Sequence, residues 1–196
     1  TLNKVVVNDN GGTEVGSAWT LTASGPTGFS GTGPSVSNST SFDAGNYTLT
    51  ESGPTGYSPS AWICVGGSQN GSNITVNLGE SATCTITNDD QAGNLIVKKV
   101  VVNDGYGTLQ IKDFPLYVDA TSVTSDVQNG FNVGSYIVSE TNQPGYAAKI
   151  TGDCDEKGNV TLNPGDAKSC TITNEDEFGK SIVEKQALPD RDGASF

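Results

Sequence analysis

The stretch Tyr47-Thr-Leu-Thr-Glu51-Ser-Gly-Pro54-Thr-Gly56-Tyr57, followed by Cys64 and by Cys84-Thr-Ile-Thr-Asn88, returns as Tyr136-Ile-Val-Ser-Glu140, Pro144-Gly145-Tyr146, Cys154 and Cys170-Thr-Ile-Thr-Asn174. An internal repeat of this kind decides the fold before any single element does. Working outward, each copy is preceded by a lysine in an apolar run, Lys4 in Leu2-Asn-Lys-Val-Val-Val7 and Lys99 in Leu95-Ile-Val-Lys-Lys-Val-Val101. Lys4 to Glu51 spans 47 residues and Lys99 to Glu140 spans 41, while each second cysteine precedes its asparagine by 4. Loop lengths differ and landmarks do not, so the chain reads as two domains, 1–90 and 94–176, joined by a short acidic hinge beginning at Asp89-Asp90.

Copies of roughly 85 to 90 residues are near the small end for a domain, where extra staples help. A hydrophobic fraction of 34% with 7% aromatics, and abundant Gly, Ser, Thr and Asn, fit many short strands joined by tight turns. The expected class is all-β. A net charge of −12 disfavours nucleic acid and anionic membranes as partners, since both need a positive surface. The sequence shows no apolar span of membrane length, no initiator Met and no signal peptide, and reads as a mature or excised segment.

The four cysteines fall two per copy, with no CxxC pair and no histidine in the chain, so the usual zinc spacing is missing. Disulfides Cys64–Cys84 and Cys154–Cys170 are expected instead, which places the chain in an oxidising, extracellular compartment. Five Asn-x-Ser/Thr sequons, at Asn38, Asn46, Asn70, Asn73 and Asn159, suit a secreted protein in a glycosylating host, although a chain this rich in Asn, Ser and Thr yields such triplets by chance. The Asn8-Asp-Asn-Gly and Asn103-Asp-Gly turns lack the ligand count of a calcium loop and read as hairpin turns. No metal and no cofactor are implied.

Side chains alternate along a strand with period two. Leu2, Lys4 and Val6 then share a face, as do Leu95, Val97, Lys99 and Val101; a slip of one residue would turn Lys98 inward instead of Lys99. Glu51 falls in phase with Tyr47 and Leu49, and Glu140 with Tyr136 and Val138. Asn88 follows Cys84 and Ile86, and Asn174 follows Cys170 and Ile172. Trp19 and Phe114, each 15 residues beyond its lysine, read as core aromatics, and residues 24–42 as turns with a short strand.

Taken singly, each polar residue has a bland account: lysines at strand ends reaching water, solvated glutamates, asparagines opening turns. Their joint recurrence on the inward phase points to chemistry. Desolvation lowers an amine pKa and raises a carboxyl pKa, which leaves a nucleophilic amine beside a carboxylic acid able to relay protons. Against a side-chain amide held close, that pair can form a lysine–asparagine isopeptide bond with loss of ammonia, and one slow turnover suffices. Glu51 and Glu140 are the expected catalysts; Lys4, Asn88, Lys99 and Asn174 are the consumed partners.

A lysine in the first strand, Tyr-x-Leu-x-Glu-x-x-Pro-x-Gly-Tyr in the middle and a late strand ending in Asn resemble the collagen-adhesin B-type, prealbumin-like domains of bacterial surface adhesins and pilins. The resemblance implies two tandem seven-stranded, inverse-immunoglobulin-like β-sandwiches, cross-linked by lysine–asparagine bonds under a catalytic glutamate, and placed at the cell surface. It implies a structural stalk, adhesin or filament whose partners are neighbouring domains or subunits and a host or environmental surface ligand. Two features depart from the pattern: cysteine pairs are unusual for Gram-positive members, and no Leu-Pro-x-Thr-Gly sorting motif is present. A second reading is a carbohydrate- or protein-binding module that uses residues 24–41, where Phe29 is the one aromatic. A secreted enzyme acting on an outside substrate finds no site. Residues 181–196 resemble the opening of a third copy, truncated or completed by another subunit, with Lys185 as its cross-linking lysine and Phe196 in the role of Trp19.

Overall fold

The computed structural model describes residues 1–39 and 41–179. The expectation for a third copy at 181–196, with Lys185 and Phe196, lies outside the described residues. Residues 2–90 form β1 (Leu2–Val7), β2 (Thr20–Ser24), β3 (Phe29–Thr32), β4 (Ser35–Val36), β5 (Gly45–Ser52), β6 (Tyr57–Pro59), β7 (Ile63–Val65), β8 (Ser68–Asn70), β9 (Asn73–Val76) and β10 (Thr83–Asp90). Residues 93–176 form β11 (Gly93–Val102), β12 (Leu116–Val118), β13 (Thr121–Val123), β14 (Gln128–Phe131), β15 (Gly134–Glu140), β16 (Tyr146–Gly152), β17 (Asn159–Leu162) and β18 (Ala167–Asp176).

In the first sandwich a sheet of order β4-β1-β10-β6, with β7 also paired to β10, faces a sheet of order β3-β2-β5-β9-β8. In the second, β14-β11-β18-β16 faces β13-β12-β15-β17. The strands correspond between the two sandwiches, except that β6 and β7 stand where the second has the single strand β16 and that β8 has no counterpart among the described residues. The short edge strands β3, β8 and β13 are added to the implied seven-stranded frame. Residues 24–42 are more ordered than their composition predicts, because β3 pairs with β2 and β4 pairs with β1.

The period-two pattern decides which side chains enter the cores. Leu2, Trp19, Leu21, Tyr47, Leu49, Ile74 and Ile86 fill the first; Leu95, Val97, Leu116, Val118, Val138, Leu162 and Ile172 fill the second. Burying each such side chain contributes about 1.5–3 kcal/mol before conformational entropy is subtracted.

Two features tie the last strand of each sandwich. First strand and last strand are parallel neighbours, β1 with β10 and β11 with β18. Disulfides then join Cys64 on β7 to Cys84 on β10, with Cα atoms 4.0 Å apart, and Cys154 to Cys170 on β18 at 5.3 Å, as expected from the repeat.

The acidic hinge read from the sequence is shorter in the structure. Asp89 and Asp90 belong to β10 and Gly93 opens β11, so Gln91 and Ala92 alone connect the sandwiches. Asp90 is drawn into the strand because it continues the inward phase of Cys84, Ile86 and Asn88, and it is 2% exposed.

Candidate functional site

Lys4 and Lys99 are buried, their side chains 0% exposed, so neither reaches water as a strand-end lysine would. The parallel register explains their company. Lys99 lies opposite Ile172 and Asn174 lies opposite Val101, two residues further along the same face, a diagonal that a long lysine side chain spans. Lys4, Ile86, Val6 and Asn88 repeat the arrangement between β1 and β10. The glutamates come from the facing sheets, Glu51 on β5 opposite Leu21 and Glu140 on β15 opposite Leu116. Each sandwich therefore brings a lysine and an asparagine from one sheet against a glutamate from the other.

In the second sandwich the contacts close into a triangle. Lys99 Nζ donates to Glu140 Oε2 at 2.5 Å and to Asn174 Oδ1 at 2.5 Å, and Asn174 Nδ2 donates to Glu140 Oε1 at 2.6 Å. Phe114 covers the amine, with Nζ 4.3 Å from the ring centroid. In the first sandwich Lys4 Nζ donates to Glu51 Oε2 and lies 4.6 Å from the Trp19 ring centroid. Asn88 is buried at 3% exposure, but its Oδ1 finds no hydrogen-bond partner. The first set is assembled and not closed.

Burial lowers the pKa of Lys4 and Lys99 below the usual 10.5, against the opposing hydrogen bond and charge of Glu51 and Glu140 respectively. Desolvation penalises the ammonium more than one carboxylate restores it. Three polar groups in contact in the second sandwich, an amine of lowered pKa among them, have the composition needed for amide exchange: nucleophile, proton relay and carboxamide.

Two further buried carboxylates escaped the sequence reading. Asp90 accepts Asn10 N–H at 3.0 Å and Gly12 N–H at 2.5 Å, and Asp176 accepts Asp104 N–H at 2.9 Å and Gly107 N–H at 2.5 Å. Burial alone would raise the pKa of each; the backbone donors outweigh it and hold both below 3.8. The tyrosines of the Gly-Tyr pairs complete the clamp. Tyr57 Oη donates to Asn8 Oδ1 at 2.8 Å and accepts Glu14 N–H, and Tyr146 Oη donates to Asn103 Oδ1 at 2.6 Å and accepts Leu109 N–H. A Cβ on Gly12 or Gly107 would collide with the tyrosine hydroxyl. These contacts pin the loop that leaves the lysine strand. The signal for them was in the repeat, since each aspartate follows its asparagine by two residues.

Asp9, Asp89 and Asp90 bring carboxylate oxygens within 4.8 Å of one another, but both oxygens of Asp90 are already engaged by backbone donors. Of the sequons, Asn46, Asn70 and Asn159 are exposed and Asn38 and Asn73 are half-buried. No helix among the described residues is long and apolar enough to cross a membrane.

A family model described as a prealbumin-like fold domain, SpaA_2, matches the chain twice, at residues 1–86 and 90–172. Among solved structures, the C-terminal fragment of the pilus adhesin SpaC from Lactobacillus rhamnosus GG is 15% identical, with a TM-score of 0.38 over 94% of this chain and 98% of that one. The major pilin protein (T-13) of Streptococcus pyogenes is 12% identical, with a TM-score of 0.32 over 90% and 96%. Another major pilin (T3.2) of that organism is 13% identical, with a TM-score of 0.34 over 89% and 96%. The curated proteins hold no match.

Proposed function

The chain belongs to the SpaA_2 family of prealbumin-like fold domains, and on that premise we propose that it is a structural segment of an extracellular surface stalk, adhesin or filament, each domain stapled by a disulfide and by an autocatalytic lysine–asparagine bond. The observation that carries this reading is the closed triangle of Lys99, Glu140 and Asn174.

In the second sandwich a proton passes from Lys99 Nζ to Glu140 Oε2 along their hydrogen bond, leaving a neutral amine and a carboxylic acid. The amine attacks Asn174 Cγ, and the acid protonates Oδ1 and then, through its exchange with the tetrahedral adduct, the departing Nδ2. The Cγ–Nδ2 bond breaks, the Nζ–Cγ amide forms, and the ammonia leaves with the remaining proton as ammonium, which returns Glu140 to the carboxylate it started as. Enclosure supplies the rate, because reacting groups held in contact gain a large effective molarity. Lys4, Glu51 and Asn88 take the same roles in the first sandwich. The reaction occurs once per domain, and no turnover on an outside substrate is proposed.

Topology explains the benefit. Pulling on the two ends of a sandwich shears two parallel neighbours, the first and last strands. A covalent bond between them carries tension directly from Lys4 to Asn88 and from Lys99 to Asn174, and shields everything between. The backbone left under load is 1–4, 88–99 and the residues after 174.

Intact mass under non-reducing conditions tests the proposal. One missing ammonia per bond is expected beyond the four hydrogens lost to two disulfides, and Glu140→Ala restores one ammonia. A wild-type mass equal to the disulfide-only value refutes the cross-link and leaves the polar sets as buried networks.

A further inference from the structure

The sheets that hold the last strands finish on unlike edges. In the second sandwich β16 is the outermost strand, paired with β18 along Tyr146–Gly152. Gly145 C=O accepts Glu177 N–H at 2.8 Å, and Asp153 N–H donates to Ser169 C=O at 2.9 Å. In the alternation of an antiparallel ladder, Ala147, Lys149 and Thr151 then turn their peptide groups to β18, while Ala148 and Ile150 turn theirs outward. Among the described residues nothing bonds those outward groups.

The first sandwich blocks the same edge in three ways. Pro59 lies opposite Asn88 as Ala148 lies opposite Asn174, and a proline has no N–H to offer. Five steps of chain from Pro59 to Cys64 run against four from Asn88 to Cys84, so the edge bulges. Gln69 of β8 then caps the groups that face outward, its Nε2 donating to Trp62 C=O at 2.6 Å and its Oε1 accepting Cys64 N–H at 2.8 Å. The second sandwich has an alanine in place of the proline, an unbroken register, and no counterpart of β8 among the described residues. The cores differ in the same sense. Trp62 is 7% exposed and seals the first, whereas Ile150, in the corresponding place, packs on the second and stays half-buried.

This edge runs along the flank of the sandwich. The chain that continues from β10 meets the first sandwich at loop tips, with Val133 N–H donating to Asn10 C=O and Gly165 N–H to Gln91 C=O. A domain following β18 in the same manner leaves β16 uncovered. Proteins blunt free edges with proline, bulges and covering groups; a straight, uncapped strand is a template for another strand.

We propose that β16 pairs antiparallel with β16 of a second copy of this chain, centred on Ile150, and joins the two four-stranded sheets side by side. A second β16 fits because its outward groups repeat the same alternation. Centring on Ile150 sets the two isoleucines together on the core side, where each completes the burial the other lacks. Ala148 N–H then meets Gly152 C=O of the partner subunit, and Lys149 faces Thr151 of the partner subunit. A register centred on Lys149 would set two ammonium groups face to face, so this lysine selects the register. A net charge of −12 on each copy opposes contact, and pairing strengthens as salt screens the repulsion.

Cysteine pairing tests this in the full chain, whose native cysteines are all in disulfides. Directly opposed residues of a hydrogen-bonded antiparallel pair have Cα atoms about 5.5 Å apart, a separation that suits a disulfide. Under mild oxidation at high salt, Ile150→Cys should give a covalent dimer and Lys149→Cys severalfold less. Adding Ala148→Pro, which copies the block at Pro59, should lower the Ile150→Cys yield severalfold in a chain that melts with its parent. Sedimentation of the unmodified chain needs no variant and should shift from monomer to dimer with rising concentration, more so at high salt. No Ile150→Cys dimer, equal yield from Lys149→Cys, a yield indifferent to Ala148→Pro, or an unmodified chain that sediments as monomer at every concentration overturns the inference. An edge already filled by the chain's own residues gives the monomer result. Ammonia loss in the same samples reads the isopeptide bond separately, so either proposal can fail while the other stands.

Discussion

Replacing Lys99 by methionine removes the nucleophile of the second domain while keeping a long apolar side chain under Phe114, so it isolates the cross-link from the cost of a stranded charge. The lost bond would have closed a loop of 75 residues. In the chain-entropy account that closure restricts the unfolded state by about 4.5 kcal/mol. For a domain of this size such a loss lowers the melting temperature by roughly 20–35 °C. Glu140→Ala should cost more than Lys99→Met, because it forfeits the same closure and also leaves the lysine ammonium buried without its carboxylate, a further penalty of about 3–5 kcal/mol. The assay is hydrogen exchange read peptide by peptide through thermal or guanidinium unfolding. Both tryptophans, Trp19 and Trp62, sit in the first sandwich, so their fluorescence gives an internal control that should not move. If Lys99→Met melts with the wild type, or if Glu140→Ala is no worse than Lys99→Met, the assignment of nucleophile and proton relay is wrong.

Cross-linking of the first domain should lag the second, since Asn88 Oδ1 has no hydrogen-bond partner and Lys4 Nζ donates to Glu51 but not to Asn88; peptide mapping during refolding checks the order, and a first-domain bond that forms first or together with the second refutes it. The rate should be independent of pH while Lys99 and Glu140 hold one ionisable proton between them and fall above the lowered lysine pKa, where the acid that protonates Asn174 Oδ1 is lost; a rate that keeps rising through and beyond that pKa excludes Glu140 as the acid. Asp90 and Asp176 have pKa values held below 3.8, so their stabilising effect is complete above that value and is lost as pH falls through the folded pKa. Asp90→Asn and Asp176→Asn should therefore weaken the domains at neutral pH and flatten the acid limb of the stability curve, and an unchanged acid limb contradicts the clamp. Removing Cys154 and Cys170 together should cost about 3 kcal/mol by loop closure, measured by denaturant unfolding, and a loss confined to the first domain would be incompatible with the pairing.

Much of this protein was legible in the chain because its information is local and doubled. Period two set Lys4 in phase with Leu2, Glu140 in phase with Val138 and Asn174 in phase with Ile172, and a second copy removed the ambiguity that a one-residue slip leaves in any single strand. Cysteine spacing within each copy was enough to pair the disulfides. What stayed hidden depends on contacts between residues far apart. The phase of a strand says which face a lysine takes and nothing about which strand lies beside it, so the parallel pairing that sets Asn174 on the diagonal from Lys99 came only from the fold. The aspartates two residues beyond the asparagines were visible as a repeat, but Asp90 read as part of an acidic hinge. Tertiary structure turned them inward, because the folded loops bring backbone N–H groups that compensate a buried carboxylate. The difference between the closed triangle and the orphaned Asn88 oxygen was likewise beyond reach of the sequence, since identical residues at matching positions are separated there by ångströms of side-chain placement.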